Sequence, residues 1–301
     1  MVLLAGDMVL FSVIVVLLLE QLRPLPYGRC VKHPVAMLAN WVERRFNAGE
    51  RSNGGLAWCV VVGGFTLLAG GMHVVLSWLN PLLGWLWTIA FLYITLGFRQ
   101  FSHYFSGIHL ALRLEDLSSA RRLLSEWRGI SSDGLSASDI ARLSIEQALF
   151  AAHRHVFGVL ACFVLLPGPC GAVLYRLAAE LDTVWGQRTL EREDHFSRFA
   201  RQAFFLIDWV PIRLSALIFS VVGHFEDALF SWRLRGEQSE RSLVVTCGAG
   251  ALGVRLEGGA ETNGEPADSG HMQSAVALVW RALLLWLMLL LLLGFAGLFA
   301  G

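Results

Sequence analysis

Asp208 and Arg213 lie inside an apolar run, Ala203–Val222, with Pro211 between them. Ionisable groups are expensive in such surroundings, so they mark either a functional site or an internal ion pair. On a helix the two would stand little more than a turn apart, with proline distorting the backbone between them. His224, Glu226 and Asp227 follow directly and extend the polar cluster. His33-Pro34-Val35 closes a proline-rich stretch that also holds Pro24 and Pro26. It reads either as a rigid membrane exit or as a histidine, able to titrate near neutral pH, anchored at the membrane face. His153 and His155 flank Arg154, downstream of Glu146. Helical residues two apart do not face each other, so a shared metal site does not follow, although His153 with Arg154 could hold an anion. Cys247–Leu256 (CGAGALGVRL) is rich in small residues. Its glycines could bring backbone amides to a phosphate or let helices pack closely. There is no Walker A loop, GxGxxG, HExxH or GxSxG.

The elements that must position these residues are apolar. The clearest is Val276–Ala300, almost unbroken in hydrophobic character after Arg281. About 20 such residues at about 1.5 Å each cross a hydrocarbon core of roughly 30 Å. Five further runs stand out: Val2–Leu19, Leu56–Leu79, Leu82–Phe98, Val156–Leu174 and Ala203–Val222. Asn80-Pro81 between the second and third reads as the turn of a helical hairpin. The chain is 55% hydrophobic and 16% charged, with a mean hydropathy of +0.56. Its 24 basic residues balance 24 acidic ones, which gives no electrostatic case for nucleic acid. The five cysteines form no CxxC pair and read as buried free thiols. The first run lacks a basic flank before it and a small-residue cleavage site after it, so it reads as a retained anchor.

The fold class expected is all-α, a polytopic membrane protein with about four to six membrane helices and a helical body on the cytoplasmic side. Arginine-rich stretches, Glu20–Gly55 and Arg99–His155, belong inside by the positive-inside rule, with the second and third runs as an outward hairpin. Pro167-Gly168-Pro169, Asp208 and Arg213 argue that the fourth and fifth runs are re-entrant or protein-buried. Residues 1–98 then form N-terminal membrane helices with a basic loop. Residues 99–275 form the helical body with two membrane-dipping segments, and 276–301 the C-terminal transmembrane helix. Within the body, Leu117, Ala120, Leu124 and Trp127 share one helical face. Ser136 or Ser138, with Asp139, opens a second helix by a capping pattern. Gly258–Gly270 reads as a mobile polar loop.

Taken in order, these features resemble the CobD/CbiB family, the adenosylcobinamide-phosphate synthases of cobalamin biosynthesis. His33-Pro34-Val35 is similar to that family's HPV. Tyr175-Arg176, Leu181-Asp182 and Gly186 resemble its aromatic-Lys stretch followed by Leu-Asp and Gly. Asp208, Pro211 and Arg213 resemble its Asp-rich segment ending Pro-x-Arg, and Ala249–Leu256 resembles its AGALGxxL. There are departures. Where the family has an acidic-Asn-x-x-Asp-Gly motif, this chain has His153-Arg154-His155-Val156-Phe157-Gly158, keeping only the glycine. The Asn and Thr of the family's Asn-Thr-Leu-Asp are Ala179 and Glu180 here. A second relative in the same superfamily, the membrane regulator AmpE linked to β-lactamase induction, resembles Ile207–Leu214 and Gly223–Glu226 but lacks the AGALG stretch.

The resemblance implies a bacterial inner-membrane, multi-pass ligase. It would join an aminopropanol phosphate to a corrinoid carboxylate through an amide bond, with ATP and Mg²⁺. It implies Asp182 and Asp208 as metal-binding or catalytic carboxylates, with Glu146 as a further acidic candidate. His33, Arg176, Arg213, Gly250 and Gly253 would bind substrate or phosphate. The alternative is an AmpE-like, non-enzymatic sensor or regulator of envelope signalling. The lipid bilayer is the common partner of both readings, and homo-oligomer formation stays open.

Overall fold

The computed structural model describes residues 3–23, 25, 28–46, 51–186, 195–234, 240–254, 256 and 266–299. The helices are α1 (Leu3–Leu22), α2 (His33–Phe46), α3 (Arg51–Trp58), α4 (Gly64–Leu79), α5 (Pro81–Thr95), α6 (Phe98–Arg113) and α7 (Leu117–Arg128). They continue with α8 (Ala137–Ala152), α9 (Gly158–Leu165), α10 (Cys170–Leu181), α11 (His195–Val222), α12 (Phe225–Leu234), α13 (Glu240–Leu252) and α14 (Ser269–Phe299). No strand occurs among the described residues, so the fold is all-α as expected. Among the described residues, four helical stretches are long and apolar enough to cross a membrane: Gly54–Leu79, Ala137–Leu165, Arg198–Val222 and Ser269–Phe295. Most of the Gly258–Gly270 stretch lies outside the described residues.

Wide π-helical turns interrupt the chain at Gly28–Lys32, Cys59–Gly63, His153–Phe157 and Asp182–Gly186. Such turns occur frequently at functional sites. Three of these four lie on, or directly before, the motif stretches around His33, His153 and Asp182.

The chain divides into two compact units. The first comprises residues 1–97, 158–211 and 293–301. In it α4 and α5 form the hairpin expected at Asn80-Pro81. The Asn80 side chain accepts from the Leu82 amide at 2.9 Å, and Pro81 takes the first helical position, where no donor is needed. Helix α1 packs on α5, where the Trp85 indole donates to Ser12 Oγ at 3.0 Å. The Val156–Leu174 run is not one element. Its first part completes a continuous stretch from Ala137, which ends as the Leu166 amide bonds the Cys162 carbonyl at 3.1 Å. The chain then reverses through Gly168 (φ +60°) into α10. Helix α10 is the hub of this unit and packs on α2, α4, α5 and α9.

The second unit comprises residues 98–157 and 212–292. Ala120 and Leu124 are buried on α7, and Trp127 stacks on Tyr104 with ring centroids 6.2 Å apart, so the predicted face is the packed one. Ser136 is the residue that caps α8, in a reciprocal box with Asp139. The α6–α7 corner is unusually tight. Asp116 N bonds Ala111 O at 2.9 Å and Glu115 N bonds Leu112 O at 3.2 Å, which is a Schellman closure. Asp116 then caps α7. The Ser118 hydroxyl foremost, with the Ser119 side chain and amide, holds its carboxyl down at about 2. The closure forces Glu115 to φ +57°, a left-handed conformation that glycine adopts freely. Glu115→Gly should therefore raise stability by about 0.5–1 kcal/mol despite the more flexible unfolded chain. A thermal melt of the detergent-purified protein checks this, and a lower melting temperature would refute the strain.

Candidate functional site

The first unit gathers residues from stretches far apart in sequence. Gly158 opens α9, and a Cβ there would lie 2.2 Å from both Cζ and Oη of Tyr175. Glycine is needed at this point because the Tyr175 ring fills the space. Tyr175 is fully buried on α10, tilted against Phe204 with centroids 5.6 Å apart. Its hydroxyl donates to Asp208 Oδ1 at 2.9 Å. Asp208 is itself buried, one turn before Pro211 in an otherwise continuous α11. A carboxylate removed from water needs such donors, because its desolvation is otherwise uncompensated.

Arg176, the next residue on α10, is only 2% exposed. Its Nε donates to the Thr95 carbonyl at 2.9 Å, and Nη1 lies 3.9 Å from Glu180 Oε1 one turn on. Glu180 departs from the family pattern, and the structure gives that departure a role, as a carboxylate facing the buried guanidinium. Asp182 ends α10 and opens the π-turn to Gly186. It is half-buried, so more of it is open than of Asp208. A Cβ on Gly186 would stand 3.0 Å from Asp182 Oδ1, so the Leu-Asp…Gly spacing leaves room for that carboxylate. His33 is the exposed first residue of α2, which packs on both α10 and the Asp182–Gly186 turn. His33, Arg176, Asp182 and Asp208 thus share one unit, on α10 and the helices packed against it.

The other sequence candidates belong to the second unit. Glu146 is buried on α8 and lies 3.4 Å from Arg142. Arg213 is half-buried, two residues before Ser215. His153, in the altered central motif, is completely buried and its Nδ1 is 2.8 Å from Ser215 Oγ. It has no exposed edge for an anion. The AGALG stretch forms the end of α13. A Cβ on Gly250 would lie 2.7 Å from the Asp227 carbonyl and the Ala228 Cα of α12, and one on Gly248 2.5 Å from Leu149 of α8. Gly253 (φ +67°) ends α13 in a second Schellman closure, with Val254 N on Ala249 O at 3.1 Å and Gly253 N on Gly250 O at 3.2 Å. These glycines therefore serve helix packing and helix termination. Among the described residues, no three His, Cys, Asp or Glu side chains form a group able to hold a metal ion.

Sequence reasoning missed Tyr175 as the partner of Asp208, the steric reason for Gly158, and the Thr95 carbonyl. Only the aromatic character of Tyr175 was visible, and nothing in the spacing pointed across 33 residues.

Residues 13–293 match the family described as CobD/Cbib protein. The chain belongs to the CobD/CbiB family. It is 34% identical to the cobalamin biosynthesis protein CobD of Stutzerimonas stutzeri, over 94% of this chain and 97% of that protein. It is 32% identical to the protein of the same name from Chromobacterium violaceum, over 86% of each chain. Against the cobalamin biosynthesis protein CbiB of Salmonella typhimurium the identity is 26%, over 78% of this chain and 79% of that one. No solved structure matches the chain. Within the CobD/CbiB frame, the Gly158–Tyr175–Asp208 contact joins two of the stretches that carried the resemblance to the glycine kept from the altered central motif.

Proposed function

We propose that this chain is a cobalamin-pathway synthase of the bacterial inner membrane, which joins the amine of an aminopropanol, or of its phosphate ester, to a corrinoid carboxylate through an amide bond. The observation that carries the reading is the convergence on α10. Gly158 and Asp208, from two separate stretches, meet the α10 stretch that carries Tyr175, Arg176 and Asp182, beside the helix that begins at His33. Forming the amide needs a free amine and an activated carboxylate. Asp182, the more open of the two aspartates, is the group that receives the ammonium proton. Tyr175 and Asp208, both buried, are positioning residues that fix α11 against α10. Arg176 is held by Thr95 and Glu180, so it orders the site from behind.

Nucleotide hydrolysis with magnesium would supply the activation of the carboxylate. Magnesium is usually held by one or two carboxylates together with substrate phosphates, not by a cage of protein ligands. Asp182, half-buried at the end of α10, is the carboxylate open enough to hold such an ion beside substrate phosphates, whereas Asp208 is buried against the Tyr175 hydroxyl.

Complementation tests the proposal. A cobalamin producer lacking its own synthase receives this chain, with cobyric acid as the sole corrinoid source. Growth is expected, and Asp182→Asn should reduce it by about 100-fold or more in amide-forming rate, the usual worth of a general base. Absence of growth with the protein present in the membrane would sink the synthase reading. The AmpE-like regulator would then be tested through the β-lactam response.

A further inference from the structure

Helix α2 has two faces with different tasks. Ala39 and Val42 are buried on one side, and the helix packs against α10 and the Asp182–Gly186 turn. The opposite side is exposed and is not a solvent face in composition. Met37 and Trp41, one turn apart, are 56% and 57% exposed. One turn further on, the Arg45 guanidinium lies over the Trp41 ring, 5.7 Å from its centroid. Arg44 is exposed beside it, and Lys32 is exposed at the other end. Glu43 is the single acidic residue of the helix, and it is half-buried. The helix lies in the chain between the apolar α1, ending at Leu22, and a stretch starting at Gly54 that is long and apolar enough to cross a membrane.

A helix with an aliphatic and aromatic strip edged by arginine has the composition of one lying in the membrane interface. Tryptophan favours the headgroup level. Paired arginines favour anionic headgroups, whose phosphate oxygens a guanidinium grips in a fork. We propose that the outer face of α2 is a docking surface for anionic phospholipid on the arginine-rich side of the membrane. Met37 reaches the acyl chains, Trp41 lies at the headgroup boundary above them, and Arg44 and Arg45 are set on the headgroup phosphates. Lipid seated there holds α2 down against the turn that carries Asp182. The inference stands on the exposed face and on the packing of α2 against the Asp182–Gly186 turn, and is independent of the reaction assigned above.

The test uses the full chain in nanodiscs of phosphatidylcholine alone, or with about one quarter phosphatidylglycerol, a proportion that mimics an anionic leaflet. Two readouts are taken: quenching of tryptophan fluorescence by a brominated form of each lipid, and hydrogen exchange of α2 and of residues 182–186. Brominated phosphatidylglycerol is expected to be enriched at the protein by about thirtyfold over brominated phosphatidylcholine, because each of the two arginines at an anionic surface is worth about 1 kcal/mol. Exchange in both segments should slow when phosphatidylglycerol is present. Arg44→Gln with Arg45→Gln should abolish the enrichment and the slowing, while the protein still incorporates into nanodiscs. Trp41→Ala should weaken both effects. Equal quenching by the two lipids, or a double-arginine variant that behaves as the parent, would overturn the proposal. So would slowing in α2 that leaves 182–186 unchanged, since that removes the coupling to the Asp182 turn.

Discussion

Gly171→Ala should leave little folded protein in the membrane. The residue sits in the first turn of α10, where a Cβ would lie 1.8 Å from the carbonyl oxygen of Cys162 and 2.4 Å from its carbon. The obstacle is backbone on α9, so no side chain can swing aside. Ordinary contact begins at 3.4 Å, and reaching it would force α9 and α10 apart by well over an ångström. These helices are joined by the short Leu166–Pro169 turn, whose Gly168 packs on the His73 ring, so the strain cannot be shed at the connection. Overpacking a well-packed interface typically costs about 1–3 kcal/mol when side chains can adjust, and backbone opposing backbone belongs at or beyond the upper end. Gly71→Ala is the matched control. It lies in α4 with nothing within 4 Å of the added carbon, and alanine there should be neutral or slightly stabilising. Membrane yield and the thermal melt in detergent read the difference. If Gly171→Ala melts with the parent, the close approach of α9 and α10 is wrong.

Features governed by local rules were legible in the sequence. The α4–α5 hairpin follows from Asn80-Pro81, α8 from its Ser136–Asp139 cap, and the packed face of α7 from apolar spacing. The Ala137–Leu165 stretch was not legible as one unit. Asp139, Arg142 and Glu146 make its first half look like a water-facing helix. The structure accommodates them locally, Asp139 in the capping box and Arg142 beside Glu146. The candidate site was legible as a set of stretches but not as an arrangement. Asp208 stood out because a carboxylate in an apolar run is costly. Its partner did not, because a tyrosine within a largely apolar helix has no pattern of its own. AGALG shows the limit most clearly, since small residues suit a phosphate or a neighbouring helix equally well. Only the distances from Gly248 and Gly250 to Leu149, Asp227 and Ala228 separate the two.

Gly158→Ala should abolish function more completely than its single methyl suggests. The added carbon would press on Tyr175 at Cζ and Oη, both 2.2 Å away, and the ring is fully buried, so it cannot swing out to solvent. Turning the ring away breaks its hydroxyl's bond to Asp208 and disturbs the contact with Phe204. Two effects then add: overpacking of about 1–3 kcal/mol and a lost buried hydrogen bond of about 1–3 kcal/mol. They can be separated. Tyr175→Phe keeps the ring and removes the donor, so it should show only the second loss. Tyr175→Leu in the Gly158→Ala background makes room for the methyl, so it should restore much of the melting temperature without restoring growth on cobyric acid. Recovery of both would mean that Gly158 and Tyr175 matter only for packing. Recovery of neither would mean that Tyr175 is not what the methyl strikes. The expected split, stability without activity, would tie the one glycine kept from the altered central motif to Asp208 through the hydroxyl of Tyr175.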